Sequence, residues 1–189
     1  YMVRYALGAL KGVGATAMQE AVRERKAQGD YTDIFDFAGR LDSKIVNKRH
    51  MESLSMAGAF DSVYPNRHEL LENAIWLARY SAQQADERDS SQVNLFDVLG
   101  DDKKTTLPIL QKFAEWPVSE KLQHEYEALG LYLSGHPLES HTRDLKDLRV
   151  IFSNELEEKV SEKDQKIRVA GIVTATSHRS VENRRFAYV

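Results

Sequence analysis

The stretch YALGALKGVGATAMQEAV, residues 5 to 22, carries the clearest structural signal in the first part of this chain. Leu7 and Leu10 precede the glycine pair Gly12 and Gly14, and an alanine-rich segment with helical periodicity follows at once. Because glycine adopts backbone conformations that other residues avoid, the pair predicts a tight hairpin between two helices. The amide groups at the start of the second helix then point outward, where they can bind an anion such as phosphate.

This pattern resembles the helix-hairpin-helix motif of DNA-binding proteins. The resemblance implies that the hairpin holds the phosphate backbone of duplex DNA, through contacts that read no base sequence. The residues expected at the phosphate are Lys11, Gly12, Val13 and Gly14. A tight turn that joins two packed helices, without any DNA, is the alternative that the residues alone leave open.

A degenerate second copy follows at VNKRHMESLSMAGAFDSV, residues 46 to 63. Lys48 and Arg49 enter its helix and are expected to add positive charge at the DNA. Gly58 stands at the hairpin, but Phe60 occupies the place of the second glycine, so a phosphate would be held less well there. We therefore predict that this copy packs against the first and supports it, with Phe60 in the core.

The composition is that of a globular protein from a reducing compartment. The 189 residues are 42% hydrophobic and include no cysteine, which excludes disulfides and thiolate metal sites and favours the cytoplasm. No apolar run approaches the roughly 20 residues that span a bilayer, and no signal peptide precedes the first helix, so we expect no membrane contact. Because both ends fall inside apparent structure, we expect a segment of a longer protein.

The net charge of −3 is unevenly distributed along the chain. Residues 1 to 60 carry nine Lys and Arg against seven Asp and Glu, residues 61 to 160 carry 11 against 19, and residues 161 to 189 carry six against three. Basic ends around an acidic centre suit a chain whose ends meet phosphate. An ordinary solvated surface explains the pattern equally well.

Helical periodicity extends over most of the chain and changes to strand-like alternation near residue 165. Helix starts are predicted at Thr32 or Asp33, Asn47, Asn66 and Ser119, and helix ends at Gly29, Gly58 and Gly130. The segment after Asn66 is predicted to be one long helix, with Leu70, Leu71, Ala74, Leu77 and Ala78 on its apolar face. Two strands are predicted at KIRVAGIVTATS, from residue 166, and at RRFAYV, from residue 184.

Six phrases in order carry a larger resemblance: ALGALKGVG, FDFAGRLD, NKRHMESLSMAGAFD, NLFD, EYEALGLYLSGHPLE and VAGIVT. Together they are similar to the C-terminal half of the bacterial DNA polymerase III alpha subunit, the replicative polymerase. The resemblance implies a mainly α fold, in which a helix-hairpin-helix domain for duplex DNA and the sliding clamp is followed by the start of a truncated OB-fold.

The same resemblance implies four segments. Residues 1–64 are the end of the fingers and the tandem hairpins, and residues 65–105 are a long helix and the clamp-binding segment. Residues 106–160 continue the helical part, and residues 161–189 begin the OB-fold. An OB-fold binds single strands on a basic and aromatic face, for which Arg168, Arg184, Arg185 and Phe186 are candidates. Other replicase subunits are further expected partners.

The family carries an internal clamp-binding peptide of the form Gln-x-x-Leu/Met-Phe, and QVNLF matches it at Gln92, Leu95 and Phe96. An extended peptide can place the leucine and the phenylalanine in an apolar pocket of the sliding clamp, while the Gln92 amide forms hydrogen bonds at the rim. Leu95 and Phe96 folded back onto the helices are the alternative.

No residues of this chain are expected to catalyse a reaction or to hold a metal. His136 and His141 do not have the spacing of a helical zinc site, and Ser134, His136 and Glu139 are too close in sequence to imply a triad. The family's polymerase centre uses acidic residues that hold magnesium, and its motif lies upstream, so no cofactor is expected here. A helix-hairpin-helix fragment of a repair or recombination enzyme, and an error-prone paralogue of the replicative subunit, are the alternatives.

Overall fold

The computed structural model describes residues 5–89, 107, 109–159, 166–173, 176–181 and 184–188. The chain divides into two compact units, Tyr1–Leu133 and Ser134–Val189. No helix among the described residues has the length and the apolar character needed to cross a membrane.

The first unit is helical. A 3-10 turn at Leu7–Ala9 is followed by α1 (Ala15–Gln28), α2 (Ile34–Arg40), α3 (Lys48–Met56), α4 (Arg67–Glu72), α5 (Ala74–Asp89) and α6 (Val118–Leu129). Short polar side chains start three of these helices, as predicted, because each accepts hydrogen bonds from amides that lack a partner within the helix. Asp33, rather than Thr32, caps α2, while Asn47 caps α3 and Asn66 caps α4.

Glycine ends α1 at Gly29 and α6 at Gly130, as the sequence predicts. Helix α3 ends two residues before Gly58, which adopts a left-handed φ of 75°. The prediction of Ser119 as a cap is wrong, because α6 begins one residue earlier and follows Pro117. Pro117 is the residue before the helix, and no side chain caps the first amides of α6.

The prediction of one long helix after Asn66 is also wrong, because the helix breaks at Asn73 between α4 and α5. The Asn73 side chain is buried, and its Nδ2 donates to the carbonyl oxygens of Glu69 (2.7 Å) and Gln111 (2.9 Å). Its Oδ1 accepts from the Gln111 amide at 3.0 Å. Asparagine competes with helical hydrogen bonds in this way, and here the competition ties a distant segment to the break.

The core of the first unit lies between the apolar faces of these helices. Met51, Leu54, Leu70 and Leu77 are each at most 2% exposed. Phe60 is buried, as predicted, and its ring meets that of Phe37 edge to face at 5.0 Å. The second hairpin therefore contributes to the core rather than standing apart from it.

The second unit contains a 3-10 turn at Pro137–His141, α7 (Thr142–Asp147), a 3-10 turn at Ser153–Glu155, α8 (Leu156–Lys159), β1 (Ser177–Val181) and β2 (Arg184–Tyr188). The strands pair antiparallel, with Ser177 opposite Tyr188 and Val181 opposite Arg184. The strand predicted at RRFAYV is confirmed.

The strand predicted from residue 166 is wrong over residues 166–173, where the structure has no strand. There the Arg168 carbonyl accepts from the Ile151 amide at 2.9 Å, and the Arg168 guanidinium donates to the Leu148 carbonyl at 3.0 Å. These isolated hydrogen bonds connect residues 166–173 to the preceding loop, where a strand would form a regular ladder of backbone hydrogen bonds. The OB-fold start stays a prediction.

Candidate nucleic-acid interface

The turn predicted at residues 11–14 is formed and leads directly into α1, but the described residues before it form only the 3-10 turn Leu7–Ala9 and not the predicted helix. Gly12 has a φ of 84°, which disfavours any residue with a Cβ atom, and the Val13 amide donates to the Leu10 carbonyl at 3.1 Å. Gly14 is the residue before the helix, and its carbonyl accepts the first intrahelical bond, from Met18, at 3.2 Å. The backbone thus turns and starts a helix within four residues.

The start of α1 is open to solvent. Gly14, Ala15 and Thr16 are exposed, no side chain caps the helix, and a Cβ atom built on Gly14 meets no other atom within 4 Å. The first amides of a helix have no intrahelical acceptor, and the helix dipole adds a partial positive charge at this end. This end of α1 therefore presents free donors to an anion such as phosphate.

The hairpin is held in place by other helices. The Lys11 amide donates to the Ala128 carbonyl of α6 at 3.2 Å, and the Ser53 hydroxyl of α3 donates to the Lys11 carbonyl at 2.8 Å. Val13 is 7% exposed, so its side chain anchors the turn in the core and only its backbone can reach a ligand. The predicted packing of the second copy against the first is therefore present.

Of the predicted basic residues, Arg49 lies at the hairpin. A Cβ atom placed on Gly12 would be 2.8 Å from the Arg49 Nε, and the guanidinium thus lies against the turn. Lys11 and Arg49 are both exposed. Lys48 is also exposed but pairs with Glu52 one turn along α3, at 3.4 Å.

The second hairpin is closed by its own chain. A Cβ atom on Gly58 would lie 2.1 Å from the Nη2 of Arg67, so the guanidinium occupies the space over this glycine. Arg67 donates to both carboxylate oxygens of Asp61, at 2.8 and 2.6 Å, and to Glu125 at 3.1 Å. Burial lowers the pKa of the Arg67 guanidinium, but its hydrogen bonds to the two carboxylates outweigh burial and raise the pKa above its usual value. The charged Arg67 guanidinium thus occupies the space over Gly58 that a phosphate would need.

The segment before α6 is a feature that the sequence reasoning missed. Its main-chain carbonyls accept from side chains of α4 and its cap: Phe113 from Asn66 at 2.8 Å and Ala114 from His68 at 2.7 Å. Lys112 pairs with the buried carboxylate of Glu69 at 2.7 Å. The only sequence signal is Asn66, which a helix cap alone also explains.

The predicted clamp-binding residues Gln92, Leu95 and Phe96 lie outside the described residues. The described chain leaves α5 at Asp89 and returns in the segment around Leu110, which is buried in the core of the first unit.

His136 and His141, the two histidines considered for chemistry, make local contacts in the second unit. The His136 ring accepts from the Leu138 amide at 3.2 Å and so caps a 3-10 turn, while His141 lies 3.7 Å from Asp144 on the surface. Within the described residues, no group of three or more His, Cys, Asp or Glu side chains is arranged to hold a metal ion.

Comparison with known proteins finds one match over the two hairpins and others over nearly the whole chain. A family model described as a helix-hairpin-helix motif matches residues 1–70, which include both hairpins. The DNA polymerase III subunit alpha of Caulobacter vibrioides is 35% identical over 188 residues, or 99% of this chain and 16% of that protein. Those of Vibrio cholerae and Neisseria meningitidis serogroup A are 36% and 35% identical over 90% and 99% of this chain. The chain spans only 15–16% of the length of these relatives.

Proposed function

Since the chain belongs to the DNA polymerase III alpha subunit family, we propose that it is a noncatalytic segment of a replicative polymerase that holds the backbone of duplex DNA. The observation that carries the proposal is the open start of α1, where Gly14, Ala15 and Thr16 expose amide donors beside a helix-hairpin-helix turn. The relatives' printed name supports this reading over a repair or recombination enzyme. The catalytic carboxylates are expected in other parts of the parent polymerase.

The two hairpins have different roles in this proposal. In the first hairpin Gly14 is open and the amides at the start of α1 are free, whereas Gly58 of the second hairpin is covered by Arg67. We therefore assign phosphate binding to the first hairpin alone. The second hairpin supplies packing through Phe60 and the cation Arg49, which lies against Gly12.

Charge around the first hairpin sets the expected strength of binding. Lys11 and Arg49 are exposed cations beside the turn, and a lysine or arginine that neutralises a phosphate releases a counterion. With about two to four phosphates contacted, the slope of log K against log salt should be about −2 to −4. Binding is then weak, salt-sensitive and independent of base sequence.

Fluorescence anisotropy with labelled duplexes of unrelated sequence tests this proposal over a range of salt concentrations. Lys11→Ala should weaken binding to all duplexes alike and reduce the slope by about one. Lys26→Ala is the matched control, because Lys26 is an exposed cation in the last turn of α1, at the opposite end of that helix from the hairpin. A preference for one duplex, or an equal effect of the two substitutions, contradicts the assignment.

We further propose that the peptide at residues 92–96 binds the sliding clamp and so gives the polymerase processivity. What supports this is the Gln-x-x-Leu-Phe pattern and its position between α5 and the segment around Leu110, both of which belong to the first unit. Leu95 and Phe96 are the expected anchors, because apolar side chains that enter a pocket of the partner carry most of the binding energy.

Replacing Leu95 and Phe96 with alanine together should remove about 4 kcal/mol of anchor burial and weaken clamp binding about a thousandfold. Surface plasmon resonance against the sliding clamp measures this, with Val98→Ala and Leu99→Ala together as the control from the same stretch. Gln92→Ala should cost about 1 kcal/mol. A large fall in melting temperature with unchanged clamp affinity means that these two side chains belong to the core.

A further inference from the structure

Lys11 is held from both sides by helices distant in sequence. Its amide donates to the Ala128 carbonyl of α6 at 3.2 Å, and its carbonyl accepts from the Ser53 hydroxyl of α3 at 2.8 Å. These two bonds fix the peptide planes on either side of the Lys11 Cα, immediately before the left-handed turn at Gly12. From this geometry we propose that Ser53 is a positioning residue, which together with α6 orders the hairpin for phosphate binding.

The Ser53 hydroxyl is placed for this role. Its side chain is buried, with 6% of its surface exposed, and it reaches a carbonyl 42 residues away in the sequence. The neighbouring Ser55 is buried more deeply on the same helix, yet among the described residues its hydroxyl has no hydrogen-bond partner. Buried hydroxyls usually have a hydrogen-bond partner. Ser53 and Ser55 therefore differ in the one property that the proposal concerns, and Ser55 serves as the control on the same helix.

Helix α6 completes the arrangement from outside the recognised motif. The family model ends at residue 70, whereas the carbonyl that receives the Lys11 amide belongs to residue 128. The ion pair between Glu125 and Arg67, at 3.1 Å, holds α6 against α4, whose Arg67 covers Gly58 of the second hairpin. The first hairpin is thus ordered by α3 and α6 together, and residues 1–70 alone would lack one of its two supports.

The effect of Ser53 on DNA affinity rests on the proposed function. A hairpin that is already ordered loses less conformational freedom on binding, which favours affinity without any new contact. Removing one positioning hydrogen bond should therefore lower DNA affinity by about fivefold to tenfold. The salt slope should not change, because Ser53 carries no charge and neutralises no phosphate.

The experiment uses the whole chain and compares Ser53→Ala with Ser55→Ala. Amide hydrogen exchange without DNA should accelerate at Lys11 and Val13 in Ser53→Ala, while Ser55→Ala should leave both rates unchanged. Anisotropy with a duplex should show the affinity loss for Ser53→Ala only, with an unchanged salt slope. If Ser53→Ala folds poorly, Ser53→Cys keeps the side-chain size with a weaker donor and should give the same changes in smaller measure.

If Ser53→Ala and Ser55→Ala show equal exchange rates at Lys11 and Val13, Ser53 has no positioning role. The same holds if the wild type binds duplex DNA and the two variants bind it with equal affinity. A parallel loss of affinity and melting temperature in both variants also overturns that role, since general destabilisation then accounts for the effect. If the wild type binds no duplex at all, the proposed function fails, and the exchange rates at Lys11 and Val13 alone still decide whether Ser53 orders the hairpin.

Discussion

Gly58→Ala is the substitution that most directly tests why the second hairpin is closed. Gly58 has a φ of 75°, and the methyl group of an alanine would lie 2.1 Å from the Nη2 and 2.3 Å from the Cζ of Arg67. These distances are far inside van der Waals contact, so the guanidinium must move. It then loses its aligned bonds to Asp61 and Glu125.

The expected cost has two parts. A non-glycine residue in the left-handed region costs about 1–2 kcal/mol. Breaking a buried ion pair costs about 3–5 kcal/mol, and the lower value applies here because Asp61 is 40% exposed and water can solvate it. The total of about 4–5 kcal/mol is a large share of the 5–15 kcal/mol that stabilises a typical domain.

Gly130→Ala is the matched control for the backbone part. Gly130 has a φ of 79°, and a Cβ atom there meets no other atom within 4 Å, so only the conformational cost of about 1–2 kcal/mol applies. Urea unfolding, followed by circular dichroism, gives both free energies. In a variant that also carries Arg67→Met, the loss of unfolding free energy caused by Gly58→Ala should fall to that caused by Gly130→Ala.

Equal losses of stability in Gly58→Ala and Gly130→Ala would contradict this prediction, because the guanidinium would then contribute nothing at Gly58. A Gly58→Ala variant that stays folded should also bind duplex DNA as the wild type does. A selective loss of DNA affinity in that variant would show that the second hairpin contacts phosphate after all.

Two further predictions concern the segment before α6. Burial raises the pKa of Glu69, but hydrogen bonds from Lys112 and Tyr64 outweigh it and hold the pKa below its usual value, so the ionised carboxylate stabilises the fold above the ordinary glutamate range. That stability should be lost as the pH falls below about 4.3. Urea unfolding at pH 7 and at lower pH should therefore show that the free energy of unfolding depends less on pH in Glu69→Gln than in the wild type. Asn73→Ala removes the three hydrogen bonds of a buried side chain and should cost about 2–3 kcal/mol in the same assay, whereas the exposed Gln83→Ala should change little.

The sequence alone determined the features that depend on a few neighbouring residues. The hairpin at Gly12, the caps at Asn47 and Asn66, and the helix ends at Gly29 and Gly130 were all predicted. A glycine with positive φ and a side chain that bonds an amide two or three residues ahead are set within one turn of chain, so local sequence carries the whole signal. The helix-hairpin-helix assignment is confirmed for the same reason.

The tertiary structure decided which hairpin stays open. Arg67 covers Gly58, and Ser53 and Ala128 hold Lys11, through contacts between residues up to 117 positions apart. The break at Asn73 likewise involves a distant partner, at Gln111. Propensity differs by only about 1 kcal/mol per residue, so a few buried hydrogen bonds from distant residues override it. Nothing in the sequence around Gly58 shows that an arginine nine positions ahead will turn back over it.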